Sequence, residues 1–348
     1  MDKILVVQTA FVGDVLLTLP LVQSLKSAYP SSQIDMLIVP RAAELLENNP
    51  SVHQVLVFDK RGRDSGLQGF LRTVKYIRNQ KYQCAIVPHR SMRSAALVTF
   101  ARIPKRIGFS KSAGWFLFHD VIRYENSIHE IDRNMQLLGA LGIQQSVRAY
   151  PQLYPSKGDS EIVDQFILAK GIHDPKMMIG IAPGTIWNTK RWFAERYSEL
   201  ASKLIEDGFS VVLIGGKEDE VLCKDIQVAT GSGQVYNAAG KLTLLQSAEL
   251  IRRCRMLISN DSAPMHLAVA VRTPVVAIFG ATIPEFGFSP YGKHDIVVET
   301  KGLSCRPCSI HGGETCPIKT FDCMKNITVK NVHRQVHELI NRKNTIEQ

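Results

Sequence analysis

The chain has 348 residues, 45% of them hydrophobic and 21% charged, which excludes a disordered chain and favours two globular domains of roughly 100–200 residues. Its 42 Lys and Arg against 32 Asp and Glu give a net charge of +10, which favours an anionic partner. No apolar run reaches the roughly 18–20 residues of a membrane-spanning helix, and no export signal is recognisable, so we expect a cytoplasmic protein. The 7 cysteines, an odd number, favour a reducing compartment over a disulfide scaffold.

Short apolar runs alternating with amphipathic stretches predict an α/β fold. The predicted strands of the first half are Ile4–Val7, Ile34–Val39, Val55–Phe58 and Ala85–Val87, and its helices are Leu67–Arg78 and Met92–Ala101. In the second half we predict strands Met178–Ala182, Val211–Ile214, Met256–Ser259 and Val275–Phe279, and helices Ala194–Asp207, Glu218–Ala229, Leu244–Arg253 and Met265–Ala270. Such alternation builds parallel sheets, which bind ligands at the carboxyl ends of their strands. We therefore predict two Rossmann-like domains facing a central cleft.

A poorly periodic segment near Tyr150–Asp159, with Pro151 and Pro155, marks the predicted domain boundary. The predicted division is residues 1–155, residues 156–328, and a carboxy-terminal segment of residues 329–348. Within that last segment Val329–Arg342 is helical in pattern, and we expect it to pack back on the first domain.

The excess of positive charge is concentrated between Lys60 and Lys111, with 13 basic residues and one acid, Asp64. Such a field attracts nucleic acid, an anionic membrane surface or a large anionic substrate, and the simpler alternative is a solvated basic face. The segment lacks the interleaved aromatic residues of a single-strand platform, and no helix-turn-helix or zinc-finger pattern occurs. We therefore expect no nucleic-acid partner.

The loop after the first predicted strand carries an aspartate. It reads QTAFVGD over residues 8–14, and Thr18 and Pro20 then indicate a helix start with Thr18 as N-cap. The dinucleotide fingerprint G-x-G-x-x-G is absent, and an acid here would repel a pyrophosphate. Asp14 is therefore either a general base or a turn and capping residue, and spacing alone does not separate the two.

Two loops of the second half combine glycine with charged residues. The segment PGTIWNTKRW at 183–192 offers hydroxyls and Lys190 to phosphate oxygens, and the alternative is a capped loop with Trp187 and Trp192 in the core. The segment GGKEDE at 215–220 has paired glycines that allow close approach of a ligand. Its acids either accept hydrogen bonds from sugar hydroxyls or occupy the first turn of a helix, where the helix dipole favours them.

The sharpest motif is NDSAPMHLA at 260–268, where a predicted strand passes directly into a helix. Ser262 is a natural N-cap with Pro264 in the first turn, so the N–H groups of Ser262 and Ala263 would form an anion site. Asp261 is available to hydroxyl groups, and His266 lies about one turn further on the same side as Ser262. A lone helical histidine is usually a buried core residue, but the polar residues around this one favour a functional role equally, so both roles stay open.

Four motifs together resemble the ADP-heptose:lipopolysaccharide heptosyltransferase family, glycosyltransferase family 9, over nearly the whole chain. They are GDVLLTLP at 13–20, PGTxxxTKRW at 183–192, NDSxxxHLA at 260–268 and PVVAIFG at 274–280, and the likeness is greater to the heptosyltransferase II branch. The resemblance implies a glycosyltransferase B fold whose second domain binds the donor and whose first domain binds the acceptor. It also implies inverting transfer of heptose from ADP-heptose to the lipopolysaccharide inner core, with no metal or other cofactor.

The resemblance also assigns roles to residues. Asp14 matches the catalytic base of the family, and Ala263-Pro264 replace a glycine found in other members, which removes one N–H donor. Loop chemistry and resemblance together predict donor contacts at Thr185, Thr189, Lys190, Asp219, Asp261, Ser262, Ala263 and His266. Asp219 is chosen from the three acids Glu218, Asp219 and Glu220, which the resemblance does not align individually. The expected acceptor contacts, suited to a phosphorylated and acidic sugar, are Arg61, Arg63, Arg90 and Arg93.

The expected partners are ADP-heptose, the anionic lipopolysaccharide core, and the inner face of the inner membrane as a peripheral surface. One alternative is another glycosyltransferase or a nucleotide-sugar epimerase on the same scaffold, which as an epimerase would consume its substrate without an acceptor. The other is a non-catalytic binder of anionic glycolipid, which would release no ADP.

Four cysteines lie within nineteen residues, at Cys305, Cys308, Cys316 and Cys323. The leading C-x-x-C is typical of half of a zinc site, whereas the second half is irregularly spaced. A structural zinc site is one interpretation and an iron–sulfur site a weaker one. We favour reduced thiols that pack within the loop or form an occasional disulfide.

Overall fold

A computed structural model describes residues 1–144, 148–172 and 174–346, with side chains as far as residue 342. The chain divides into two compact units, Met1–Tyr154 and Pro155–Gln348, so the division falls inside the segment Tyr150–Asp159. Each unit is built on a six-stranded sheet, and all strand pairs are parallel. The predicted α/β class is confirmed. No helix in the described part of the chain combines the length and the apolar character needed to cross a membrane.

The amino-terminal unit has the strand order β3-β2-β1-β4-β5-β6. Its strands are β1 Lys3–Gln8, β2 Gln33–Ile38, β3 Gln54–Val57, β4 Cys84–Val87, β5 Lys105–Phe109 and β6 Asp120–Ile122. Its helices are α1 Val12–Ala28, α2 Gly66–Asn79, α3 Met92–Phe100 and α4 Glu130–Gln136. The chain reverses direction across the sheet between β1 and β4, and ligands of open α/β sheets bind at such a switch point.

The carboxy-terminal unit repeats this topology, with the order β12-β11-β10-β7-β8-β9 and the switch point between β7 and β10. Its strands are β7 Met178–Ala182, β8 Ser210–Leu213, β9 Val235–Asn237, β10 Met256–Asn260, β11 Val275–Phe279 and β12 Ile296–Glu299. Its helices are α5 Lys157–Ala169, α6 Ala194–Glu206, α7 Glu220–Thr230, α8 Leu244–Arg253, α9 Ala263–Ala270, α10 Asp322–Lys325 and α11 Val329–Ile346.

Helix α1 starts seven residues earlier than the sequence predicts. Phe11, not Thr18, occupies the N-cap position, and Thr18 and Pro20 lie inside the helix. The Thr18 hydroxyl donates to the Asp14 carbonyl at 2.8 Å, as a hydroxyl inside a helix commonly does, so it cannot serve as a cap. Asp14 consequently lies in the first turn of α1 and not in the preceding turn.

Helix α11 packs within its own unit. Its buried side chains Val332, Val336 and Leu339 belong to the same hydrophobic core as Trp192 and Ile258, and it contacts α6, β11 and β12. The apolar face of α11 is therefore part of the carboxy-terminal core. The expectation that the helix also packs on the first domain stays a prediction.

Candidate functional site

In the amino-terminal unit, loops that follow three strands meet at the switch point. Thr9 follows β1 and His89 comes soon after β4, and the Thr9 hydroxyl lies 2.9 Å from His89 Nδ1. Lys60, which comes after β3, donates from Nζ to the Thr9 carbonyl at 2.7 Å. Sequence reasoning missed His89, although its position two residues after a buried strand was a usable signal. Burial, with Lys60 and Arg90 nearby, lowers the pKa of His89 to about 4, so the imidazole is neutral near pH 7.

Asp14 caps its own helix and remains partly exposed. Its Oδ2 accepts a hydrogen bond from the Phe11 N–H at 3.2 Å, and an acid in the first turn is favoured by the helix dipole. Burial and the charges of Arg61 and Arg93 lower the pKa of Lys60, an effect that the negative charge of Asp14 opposes. Asp14 therefore does cap its helix, and its carboxylate stays accessible within a strongly basic environment.

The four predicted arginines fall into two groups. Arg61 and Arg63 are exposed, and Arg63 lies 3.4 Å from the buried carboxylate of Asp64. Arg93 is held more firmly, because it donates to the Asp64 carbonyl at 2.8 Å and its guanidinium lies 4.8 Å from the centre of the Phe58 ring.

Arg90 leads to a buried network that the sequence did not indicate. Its guanidinium lies 4.4 Å from the centre of the Tyr124 ring. Tyr124 donates to Glu130 at 3.2 Å, and Arg133, 1% exposed, forms a short ion pair with Glu130. Burial raises the pKa of Glu130 to about 6, against the opposing effect of Arg133 and with a small addition from Asp14. The network fixes the aromatic ring on which Arg90 rests.

In the carboxy-terminal unit, Asn260 joins the loops after β7 and β10. Its Oδ1 accepts from the Trp192 N–H at 3.1 Å, and its Nδ2 donates to the Pro183 carbonyl at 2.8 Å. Trp192 is fully buried, whereas Trp187 is partly exposed, so the core interpretation holds for Trp192 alone. The two predicted donor loops are thus tied together at the switch point of this sheet.

Lys190 and Asp261 form an ion pair of 2.6 Å with 13% and 7% of their side chains exposed. Asp261 also accepts from the Thr282 hydroxyl at 2.6 Å. The Thr185 hydroxyl stabilises its own turn, since it accepts from the Trp187 N–H at 3.0 Å and donates to the Trp187 carbonyl at 2.9 Å. These contacts preorganise one cation and one anion at the end of β10.

Thr189 differs from the other predicted donor residues. It is 2% exposed, and its hydroxyl accepts from the Gly313 N–H at 2.8 Å. The Thr189 N–H donates to the Gly313 carbonyl at 3.0 Å, which pairs the two segments as in a short sheet. Thr189 therefore anchors the cysteine-containing loop beside Lys190.

Asp219 lies where the loops after β7 and β8 approach each other. Its Oδ2 accepts from the Gly216 N–H at 3.0 Å. Burial raises its pKa, with Glu218 adding to the shift and the Gly216 hydrogen bond and Arg191 opposing it. A Cβ on Gly184 would lie 2.0 Å from Asp219 Oδ1, so only glycine permits this contact. Helix α7 starts at Glu220, two residues later than predicted, because Lys217–Asp219 form a separate 3₁₀ turn.

Ser262 occupies the N-cap position of α9 as predicted, although its side chain makes no capping hydrogen bond. Its hydroxyl instead points to the Asn260 carbonyl at 3.4 Å. The helix begins at Ala263, two residues before the predicted start, with Pro264 in its first turn. His266 is buried, with 6% of its surface exposed. The Ser262 side chain therefore does not satisfy the N–H groups of the first turn of α9.

All seven cysteines are free. Cys323 is buried, and Cys305, Cys308 and Cys316 are partly exposed. Burial raises the pKa of Cys308, whereas N–H groups led by that of Phe321 outweigh burial and lower the pKa of Cys316. Among the residues that the structure describes, Asp207, His333 and His337 form the one group of three potential metal ligands whose atoms lie within 4.8 Å of one another, so the thiols are not gathered into such a group.

Comparison with known proteins identifies the family. Residues 70–318 match the glycosyltransferase family 9 (heptosyltransferase) model. The lipooligosaccharide heptosyltransferase 2 of Haemophilus ducreyi is 31% identical over 85% of this chain and 88% of its own length, and the lipopolysaccharide heptosyltransferase 2 of Escherichia coli is 31% identical over 82% and 84%.

Solved structures agree with this assignment. The family 9 glycosyltransferase of Veillonella parvula superimposes with a TM-score of 0.88 at 25% identity over 98% of both chains. The ADP-heptose lipopolysaccharide heptosyltransferase II of E. coli gives a TM-score of 0.78 at 27% identity over 98% of this chain and 99% of its own. The chain therefore belongs to glycosyltransferase family 9, the heptosyltransferase family, and is a glycosyltransferase.

Proposed function

We propose that the protein transfers heptose from ADP-heptose to the inner core of lipopolysaccharide, with inversion at the anomeric carbon. The observation that carries the proposal is the buried Lys190–Asp261 pair beside the start of α9, at the switch point of the second sheet. A cation, helix N–H groups and a carboxylate at one strand end suit a diphosphate joined to a polyhydroxylated sugar.

The donor residues then have distinct roles. Lys190 and the N–H groups of Ser262 and Ala263 stabilise the departing diphosphate, and Asp261 accepts hydrogen bonds from sugar hydroxyls. Thr185, Asp219 and His266 complete the donor set. Thr189 positions the loop that carries Lys190 and does not contact the donor through its side chain, because its hydroxyl already accepts from the Gly313 N–H.

Asp14 acts as the general base. It takes the proton from an acceptor hydroxyl as that oxygen attacks the anomeric carbon on the face opposite ADP, and the sugar develops positive charge in the transition state. Arg61, Arg63, Arg90 and Arg93 bind the anionic groups of the acceptor. The charges that stabilise the leaving group come from Lys190 and α9, and the sequence has no D-x-D pair, so the proposed reaction uses no metal.

The first prediction concerns Asp14→Asn. Because general-base assistance is worth about 10²–10⁴ in rate, we expect kcat to fall by that factor while the affinity for ADP-heptose changes little. ADP release is measured with Kdo-lipid A acceptors that carry or lack a first heptose, and donor binding is measured by calorimetry.

Asp159→Asn is the matched control, because Asp159 also occupies the third position of a helix and caps it, accepting from the Ser156 N–H at 2.8 Å. Wild-type turnover of Asp14→Asn would refute the role of the base. Consumption of ADP-heptose without acceptor would indicate an epimerase, and no ADP release with any acceptor would indicate a non-catalytic binder.

We also propose that the amino-terminal unit binds an anionic membrane surface peripherally, so that a lipid-anchored acceptor is accessible. Trp115 and Phe116 are 52% and 61% exposed in a 3₁₀ turn that contacts α3, and Phe100 at the end of α3 is 58% exposed. Lys111 and Arg93 belong to the basic segment that flanks these side chains in the sequence. Exposed aromatic residues next to cations are typical of peripheral membrane proteins.

The second prediction is that replacing Trp115 and Phe116 together by Ser weakens co-sedimentation with vesicles containing anionic phosphatidylglycerol by roughly tenfold or more, because their apolar burial is lost. Turnover on a detergent-free, short-chain acceptor should stay unchanged. Val221→Ser, at a residue 71% exposed in α7 of the other unit, is the control. Equal vesicle binding by all three proteins would exclude this surface.

A further inference from the structure

Two histidines and an aspartate converge beside the end of α6, and none of them belongs to the donor or acceptor residues proposed above. Asp207 Oδ2 lies 2.6 Å from His333 Nε2 and 2.9 Å from His337 Nε2. The two Nε2 atoms are themselves 3.3 Å apart. Asp207 follows the last residue of α6, and the histidines are spaced i and i+4 on α11, which places them on one helix face.

We propose that Asp207, His333 and His337 form a binding site for a divalent transition-metal ion, with Zn²⁺ as the preferred cation. Imidazole nitrogen and carboxylate oxygen are ligands that suit Zn²⁺. With metal–ligand bonds of about 2.0–2.2 Å, the ligand atoms of a tetrahedral site lie roughly 3.3 Å apart. The nitrogen–nitrogen distance already has this value, and the two nitrogen–oxygen distances need to lengthen by only about half an ångström.

The site is accessible and partly shielded from water. The exposed fractions of the side chains are 25% for His333, 42% for His337 and 28% for Asp207, so an ion can enter without unfolding the unit. Burial opposes ionisation of Asp207, but the hydrogen bonds from His333 and His337 outweigh it and lower the pKa of this carboxyl. A metal ion would replace those hydrogen bonds, accept the three lone pairs and leave one coordination position for water.

The position in the fold indicates a structural role. Helix α6 leaves the carboxyl end of β7 and runs antiparallel to the strands. Asp207 therefore lies near the amino-terminal ends of the strands, whereas Lys190 and Asp261 lie at their carboxyl ends. The ion would fasten the end of α6 to α11, the helix that closes the core of this unit. We therefore expect the metal to increase stability and to leave the catalytic rate unaffected.

The test uses the untagged full-length chain after treatment with a chelator, titrated with Co²⁺ and, separately, Zn²⁺. Cobalt bound by nitrogen and oxygen ligands gives weak visible ligand-field bands, whereas cobalt bound by thiolates adds a strong near-ultraviolet charge-transfer band. A background in which Cys305, Cys308, Cys316 and Cys323 are all replaced by Ser removes the four clustered thiols that could compete for cobalt. We expect one Co²⁺ per chain with nitrogen–oxygen bands, displaced by Zn²⁺, and a higher Tm with Zn²⁺.

His333→Gln/His337→Gln should lose the bands and weaken Co²⁺ binding by roughly a hundredfold. The same variant should also lose the rise in Tm. His119→Gln, at an exposed histidine of the amino-terminal unit, is the matched control and should behave as the wild type. Cobalt bound only through thiolates, or unchanged bands in the double variant, would overturn the proposal. Asp207→Asn provides an independent variant that removes one ligand and retains both histidines.

Discussion

His89 shows how a single residue couples the site of the amino-terminal unit to pH. Its imidazole contacts the hydroxyls of Thr9 and Ser94, each at 2.9 Å. Burial and the neighbouring Lys60 and Arg90 lower its pKa to about 4. A neutral ring is therefore built into the switch point, because an imidazolium there would be both desolvated and repelled by two cations.

The third prediction follows from the sign of that shift. The unfolded chain binds a proton near pH 6.5 and the folded chain only near pH 4, so between these values the unfolded state holds more protons and stability rises with pH. We expect His89 to contribute a slope of up to about 1.4 kcal/mol per pH unit in this window. Urea unfolding of wild type and His89→Asn from pH 4 to 7 measures it.

The prediction concerns the difference in pH slope between the wild type and His89→Asn, because other groups also titrate in this range. His119→Asn, at an exposed histidine, should retain the wild-type slope. A slope in His89→Asn as steep as in the wild type would show that the ring is protonated in the folded protein.

At the scale of elements, the carboxy-terminal site depends on how closely three strand-end loops approach. Asn260 joins the loops after β7 and β10, and Asp219 from the loop after β8 contacts Gly184. Side chains and backbone here are packed so tightly that one added methyl group has no room. The geometry at these strand ends is therefore determined by Gly184 and the Asn260 amide as much as by the charged residues.

The fourth prediction is that Gly184→Ala weakens ADP binding by roughly tenfold or more, about 1.4 kcal/mol, because the new Cβ would displace Asp219 or the loop after β7. Overpacking of this kind also costs typically about 1–3 kcal/mol of stability. Gly158→Ala is the control: its Cβ would meet only Ser156 Oγ at 3.6 Å, in the first turn of α5. Calorimetry with ADP and thermal unfolding provide the two measurements, and equal ADP affinity of both variants would contradict the argument.

At the scale of the whole molecule, the apolar runs of the sequence predicted strands β1 to β4, β7, β8, β10 and β11, and they missed β5, β6, β9 and β12. Strands β1, β4, β7 and β10 are continuous apolar runs, and periodicity identifies such runs. The missed strand β5 reads KRIGF, and β9 has only three residues. Whether such a segment forms a strand depends on the strands it pairs with. A segment this short carries no periodic signal of its own.

The same limit applies to the sites. The motifs pointed to Lys190, Asp261 and Ser262 as candidate site residues because a strand, a loop and a helix start follow one another in the chain. The Arg90–Tyr124 contact and the pairing of Thr189 with Gly313 join residues far apart in sequence. Only the fold brings such residues together, so no local pattern could have predicted them.

The fifth prediction concerns the role of α11 in completing the carboxy-terminal unit. Val332, Val336 and Leu339 are at most 1% exposed and lie in the core with Trp192. Burying each such side chain contributes about 1.5–3 kcal/mol, and together this approaches the total stability of a typical domain, about 5–15 kcal/mol. Deleting residues 329–348 should therefore abolish the cooperative unfolding of this unit and its ADP binding.

Leu339→Ala gives a graded version of the same test, with an expected loss of about 2–5 kcal/mol in the free energy of unfolding. This substitution keeps the measurement possible in a folded protein even where the truncated chain does not accumulate. Thermal and urea unfolding followed by circular dichroism report the loss. A Leu339→Ala variant as stable as the wild type would mean that α11 does not belong to the core of this unit.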